Sequence, residues 1–141
     1  MLGYLLIALS VISWGLWGFT GKLATRHNNA LVITAITSIL SPLASIVLYI
    51  LIKTKGIEIN ITGRSFLLIG LTALMGIFGS IFFYMALQKT QLSVVIALTA
   101  LYPVITVLLA IIFLKEPFPF YKWIGLFIII IGAILVTWEH Q

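Results

Sequence analysis

Long uncharged stretches alternate along the chain with short polar breaks. Five stand out, at roughly 1–21, 31–52, 66–88, 90–114 and 123–138. A helix needs about 20 residues to cross a hydrocarbon core about 30 Å thick. The first four stretches clear that length. The fifth is short, about 24 Å at 1.5 Å per residue, but Tyr121 and Trp123 bracket it at one end and Trp138 at the other, which suits an interfacial aromatic belt. The pattern predicts an all-α fold, an integral membrane bundle of about five transmembrane helices forming one domain over 1–141.

The breaks are brief. His27-Asn28-Asn29 separates the first two helices, Lys89 marks the turn between the third and fourth, and Pro117 and Pro119 block helix between the fourth and fifth. The longest link, Lys53 to Ser65, contains Gly56, Gly63 and an alternating Ile57-Glu58-Ile59-Asn60-Ile61, the pattern of an extended or interfacial segment. Asn60-Ile61-Thr62 matches a glycosylation sequon, read here as a chance match. Met1-Leu2-Gly3-Tyr4 brings no basic segment before the first apolar run, so that run reads as a retained helix and not a cleaved signal.

Helical spacing sorts the few polar residues inside these stretches. Ser10, Ser13, Trp14, Trp17 and Gly21 share a face of the first helix; Thr34, Thr37, Ser38, Ser41 and Ser45 share one on the second. The third carries Thr72, Gly76, Ser80, Tyr84 and Gln88 at steps of four, and the fourth Thr99, Tyr102, Pro103 and Thr106. Such faces should turn toward other helices or a wet cavity. The candidates for lining a solute cavity are Ser10, Ser13, Trp14, Trp17, Thr37, Ser41, Ser80, Tyr84, Thr99, Tyr102 and Thr106. Aromatic rings with polar edges suit a small organic solute. The competing reading is structural: hydroxyls and glycines also allow close helix packing, as expected for Gly15 and Gly18 on another face, and tryptophans anchor helix ends at the interface. Pro42 and Pro103 each remove a backbone bond, freeing the carbonyls of Ser38 and Thr99, and mark candidate breaks or hinges.

Composition agrees with a bilayer as solvent: 62% of the 141 residues are apolar and 8% charged, where a soluble domain carries roughly 25% charged residues. The net charge of +5 comes from eight Lys and Arg scattered between apolar runs, so it marks topology and not nucleic-acid binding. Lys53, Lys55, Arg64, Lys115 and Lys122 fall on the side of the N-terminus, and Lys22, Arg26 and Lys89 on the other. Five against three favours a cytoplasmic N-terminus in the cell (inner or plasma) membrane, with a bias small enough for insertion in both orientations.

No Asp, Glu, Lys, Arg or His lies in the middle of a stretch; Glu58, Glu116 and Glu139 sit at boundaries or in loops, and His27 and His140 are isolated. With no cysteine there is neither disulfide nor thiolate site. No catalytic residue, metal or cofactor is expected, and the chain is not read as an enzyme.

The run from about 79 to 136 resembles the EamA-like domain of the drug/metabolite transporter superfamily. Its marks are Tyr84-Met85-Ala86-Leu87, Ser93, Leu101-Tyr102-Pro103-Val104-Ile105-Thr106, Leu114-Lys115-Glu116, Gly125 and Gly132-Ala133-Ile134-Leu135-Val136. Ser13-Trp14-Gly15 followed by Lys22 looks like that domain's opening. The resemblance implies one half of a ten-helix inverted-repeat transporter, exporting amino acids or other small metabolites. A lone half would work as a homodimer, antiparallel in the bilayer, or with a related five-helix partner. Glu116 matches the family's acid at the end of the fourth helix, where a structural ion pair with Lys115 or a cap is expected. Small multidrug resistance proteins, with four spans and a glutamate in the first helix, fit less well. The alternatives are a non-transporting subunit of a larger complex, or half of a lipid-linked sugar flippase.

Overall fold

The helices overrun the uncharged stretches at their ends, because a long cationic side chain can sit in a terminal turn with its ammonium at the interface. In the computed structural model, which describes residues 2–138, α1 is Leu2–Thr25, α2 Ala30–Thr54, α3 Gly63–Lys89, α4 Leu92–Thr99, α5 Tyr102–Leu109 and α6 Phe120–Thr137, with a π-helical turn at Ala110–Leu114. Lys22, Lys53 and Lys89 occupy last turns. Glu139 and His140 lie outside the described residues. The stretches Ala30–Thr54, Gly63–Lys89, Leu92–Leu114 and Phe120–Thr137 are each long and apolar enough to cross a bilayer. α1 matches them in length at 24 residues, with no charge before Lys22. No strand occurs among the described residues, and residues 57–62 are non-helical and unpaired.

Several helix ends supply their own hydrogen bonds. The Asn29 side chain accepts from the Leu31 N–H at 2.9 Å and starts α2. At the other end Gly56, at φ +64°, donates to the Lys53 carbonyl (3.2 Å) while Ile57 donates to that of Ile52 (3.0 Å). This is a Schellman motif, with glycine where a left-handed residue is required. Thr62 starts α3: its hydroxyl accepts from the Ser65 N–H at 3.2 Å, a structural use for the last residue of the sequon.

The fourth stretch is not one uninterrupted α-helix. α4 stops at Thr99, and α5 begins at Tyr102 with Pro103 in its first turn, the position where a missing N–H costs nothing. Pro42, by contrast, lies inside the unbroken α2. After α5 the π turn ends on Lys115 in the left-handed conformation (φ 53°). The N–H groups of Lys115 and Glu116 both reach the Ala110 carbonyl, the latter at 3.4 Å. Glu116 thus caps through its main chain. Phe118 then turns onto Trp123 edge to face, centroids 5.1 Å apart, with the Lys122 ammonium 5.7 Å from the Phe118 ring.

The chain gathers into two units, Met1–Phe19 with Lys89–Gln141, and Thr20–Gln88. In the first, α4 packs on α6, and Val95, Leu126 and Ala133 are buried. In the second, burial concentrates at one end of the helices, at Gly21, at Ala30, Ile33 and Thr34, and at Phe83, Tyr84 and Leu87. From Ala35 to Leu51 every residue of α2 is exposed.

Gly21 is the tightest point of that end. A Cβ there would stand 2.9 Å from Cε1 of Tyr84 and 3.7 Å from a methyl of Leu87. Tyr84 is 2% exposed and Leu87 fully buried, so neither can yield freely. Gly21→Ala is expected to destabilise the protein by about 1–3 kcal/mol, read as a lower melting temperature in nanodiscs. Gly15→Ala, which meets nothing within 4 Å, should leave it unchanged.

Candidate functional site

A hydroxyl inside an apolar helix has one donor and no water, so the nearest helix carbonyl is its readiest acceptor. Every candidate serine and threonine uses it. Ser10 donates to the Leu6 carbonyl at 3.0 Å, Ser13 to Leu9 at 2.8 Å, Ser80 to Gly76 at 2.9 Å and Thr106 to Tyr102 at 3.2 Å. Thr37 is shared between Ile33 (2.9 Å) and Thr34 (3.0 Å), and Thr99 between Val95 (2.7 Å) and Ile96 (3.2 Å). With the donors committed, what these side chains present outward is oxygen lone pairs. The stripes are rows of hydrogen-bond acceptors.

Ser41 differs in what its bond accomplishes. Pro42 has no N–H for the Ser38 carbonyl four residues back, and the Ser41 hydroxyl donates to that carbonyl at 2.9 Å. The side chain supplies the bond that the proline withholds, which lets α2 run through Pro42 without a break.

The aromatic candidates separate by burial. Trp14, Trp17 and Tyr102 are 62%, 41% and 57% exposed. Tyr84 is packed against Gly21 and stands edge to face with Phe83 at 5.9 Å; in this conformation its ring fills a core. Ser10, Ser13, Trp14, Trp17, Thr99, Tyr102, Pro103 and Thr106 belong to the first unit, and Thr37, Ser41, Pro42, Ser80 and Tyr84 to the second.

Two polar contacts join residues that sequence spacing could not pair. The Lys22 ammonium donates to the Leu87 carbonyl, placing a cation in the last turn of α3, where the helix dipole is negative and carbonyls lack partners. The Gln88 amide donates to the Asn28 carbonyl at 2.9 Å. Together they tie the end of α1 and the α1–α2 turn to the end of α3. Lys22 stands out in the sequence as a cation closing an apolar run and as part of the opening that resembles the family's; its partner lies 65 residues away. Among the described residues no group of three or more His, Cys, Asp or Glu side chains could hold a metal ion.

The profile of the EamA-like transporter family matches residues 1–138. An uncharacterised protein of Methanocaldococcus jannaschii is 38% identical over 96 residues, which cover 67% of this chain and 70% of that protein. No solved structure matches the chain.

The role of Ser41 can be isolated by a double-mutant cycle. Ser41→Ala strands the Ser38 carbonyl and should cost about 1–2 kcal/mol. In a Pro42→Ala background the restored N–H takes that carbonyl, and the same change should cost under about 0.5 kcal/mol, as should Ser10→Ala in either background. Thermal or denaturant unfolding in mixed micelles measures all of these.

Proposed function

The chain belongs to the EamA-like transporter family of membrane proteins, and from that premise we propose that it carries a small amine-bearing metabolite across the cell membrane. The observation that carries this reading is the set of acceptor rows. Seven candidate Ser and Thr hydroxyls, Ser41 among them, and those of Thr34, Ser45 and Thr72 spend their protons on their own helices. A solute rich in N–H groups fits such a surface, and a solute rich in acceptors does not. With no ionised side chain at mid-span, such rows hold an ammonium by oxygen dipoles and add no countercharge of their own. Trp14 and Tyr102, exposed and flat, supply faces on which a cation or an apolar side chain can rest.

The working unit is a dimer of five-helix halves. Alternating access needs a site between two repeats, and residues 1–138 supply one of them. The exposed α2 supports this: Thr37, Ser38, Ser41 and Ser45 lie on a length of helix with no buried residue, and lipid offers no hydrogen bond to such a stripe. The small charge bias supports an antiparallel pair. Exchange between states proceeds by rocking of the halves, with the interruption at Ala100–Leu101 before Pro103 as the bending point and Pro42 as a second.

Trp14→Ala should reduce uptake of a labelled organic amine into proteoliposomes at least tenfold while leaving the melting temperature unchanged. Tyr84→Ala should lower both, because that ring is core. Unchanged uptake by the Trp14 variant would remove the proposed site.

Paired C-terminal reporters active in opposite compartments test the assembly. Signal from both sides is expected of an antiparallel homodimer. Signal from one side, with another membrane protein co-purifying in fixed ratio and no solute movement, would favour the subunit reading.

A further inference from the structure

The link after α2 has a chemistry that transport does not use. α2 crosses the bilayer and ends at Thr54, and α3 starts its own crossing at Gly63, so the eight residues between them lie in the headgroup layer. The Schellman turn at Gly56 brings the chain back over the end of α2 and borders a wide-open hollow of about 580 Å³, lined by Lys53, Gly56, Ile57, Glu58, Ile59 and Asn60. Its walls hold one cation, one carboxylate and two exposed isoleucines.

We infer that this hollow binds the headgroup of a phospholipid bearing a primary amine. The Lys53 ammonium stands 5.8 Å from the Tyr49 ring centroid. The ring steadies it on one side without consuming its N–H donors, which leaves them for a phosphate. Among the described residues Glu58 has no ion-pair partner, and its carboxylate accepts from an ammonium. A zwitterionic headgroup supplies both charges within one short linker. An anionic headgroup without an amine would set its charge beside Glu58 unanswered. A quaternary ammonium has no N–H to give. Ile57 and Ile59, both exposed, line the hollow beside Glu58 and Asn60, so part of its wall is apolar and meets the glycerol and upper acyl region. A soluble phosphate ester has no use for that part, which is why the ligand is a lipid.

The chain contains no cysteine, so Ile61→Cys, outside the hollow, gives a single labelling position for a polarity-sensitive fluorophore. The labelled full-length protein is placed in nanodiscs of phosphatidylcholine with rising fractions of phosphatidylethanolamine or phosphatidylglycerol. A saturable emission shift is expected with phosphatidylethanolamine and not with phosphatidylglycerol or phosphatidylcholine alone. Glu58→Gln should weaken the phosphatidylethanolamine response roughly tenfold, as should Lys53→Gln, by loss of a charged hydrogen bond. Arg64→Gln, outside the hollow, should leave it unchanged. Helical circular dichroism checks that the variants fold. A response to phosphatidylglycerol alone, equal responses to all three lipids, or full retention in Glu58→Gln would each overturn the site.

Discussion

A peptide group in a lipid interior has no water to turn to, and each departure from the α-helical ladder must bring its own partner. The structure meets this demand locally. Ser41 answers the carbonyl that Pro42 leaves open. Pro103 sits in a first turn, where its missing N–H is not required. Ala110 gathers two N–H groups where the π turn ends on a left-handed Lys115. Asn29, Thr62 and Gly56 close three further helix ends near the interface. The end of α3 is closed by a distant side chain, where Lys22 reaches Leu87.

This economy shapes what remains for function. A hydroxyl that donates within its own helix no longer serves as a donor to neighbours, and its oxygen keeps acceptor capacity. The stripes therefore have a polarity of recognition as well as a location. In the proposed function a solute is the counterpart to those acceptors, and the absence of ionised groups at mid-span in the sequence leaves the stripes uncharged.

Small residues do two different jobs here. Gly21 is a packing contact with Tyr84 close enough to exclude a methyl group. Gly15, three-residue spacing from Gly18 notwithstanding, faces open space. Spacing alone marks both as helix-contact residues; only the position of a facing ring separates them. The same holds for the aromatics: Trp14 and Tyr84 are equal candidates by helical register, yet one is exposed and the other fills a core.

What the sequence determined by itself is whatever hydropathy and local stereochemistry control. The length of each apolar run set the helices, and cations in their end turns extended them. His27-Asn28-Asn29, Pro117 and Pro119 ended them, and i, i+3, i+4 spacing drew the polar stripes. The family likeness was legible because its marks run in order along the whole chain. Tertiary structure alone decided which proline breaks a helix and which is repaired by the serine before it, that Tyr84 is core, and that Lys22 and Gln88 belong to the end of α3. These depend on where a side chain points and on contacts between residues about 60 apart. Hydropathy cannot encode such pairings, because in a membrane helix nearly every face is apolar and no periodicity says which apolar face meets protein and which meets lipid.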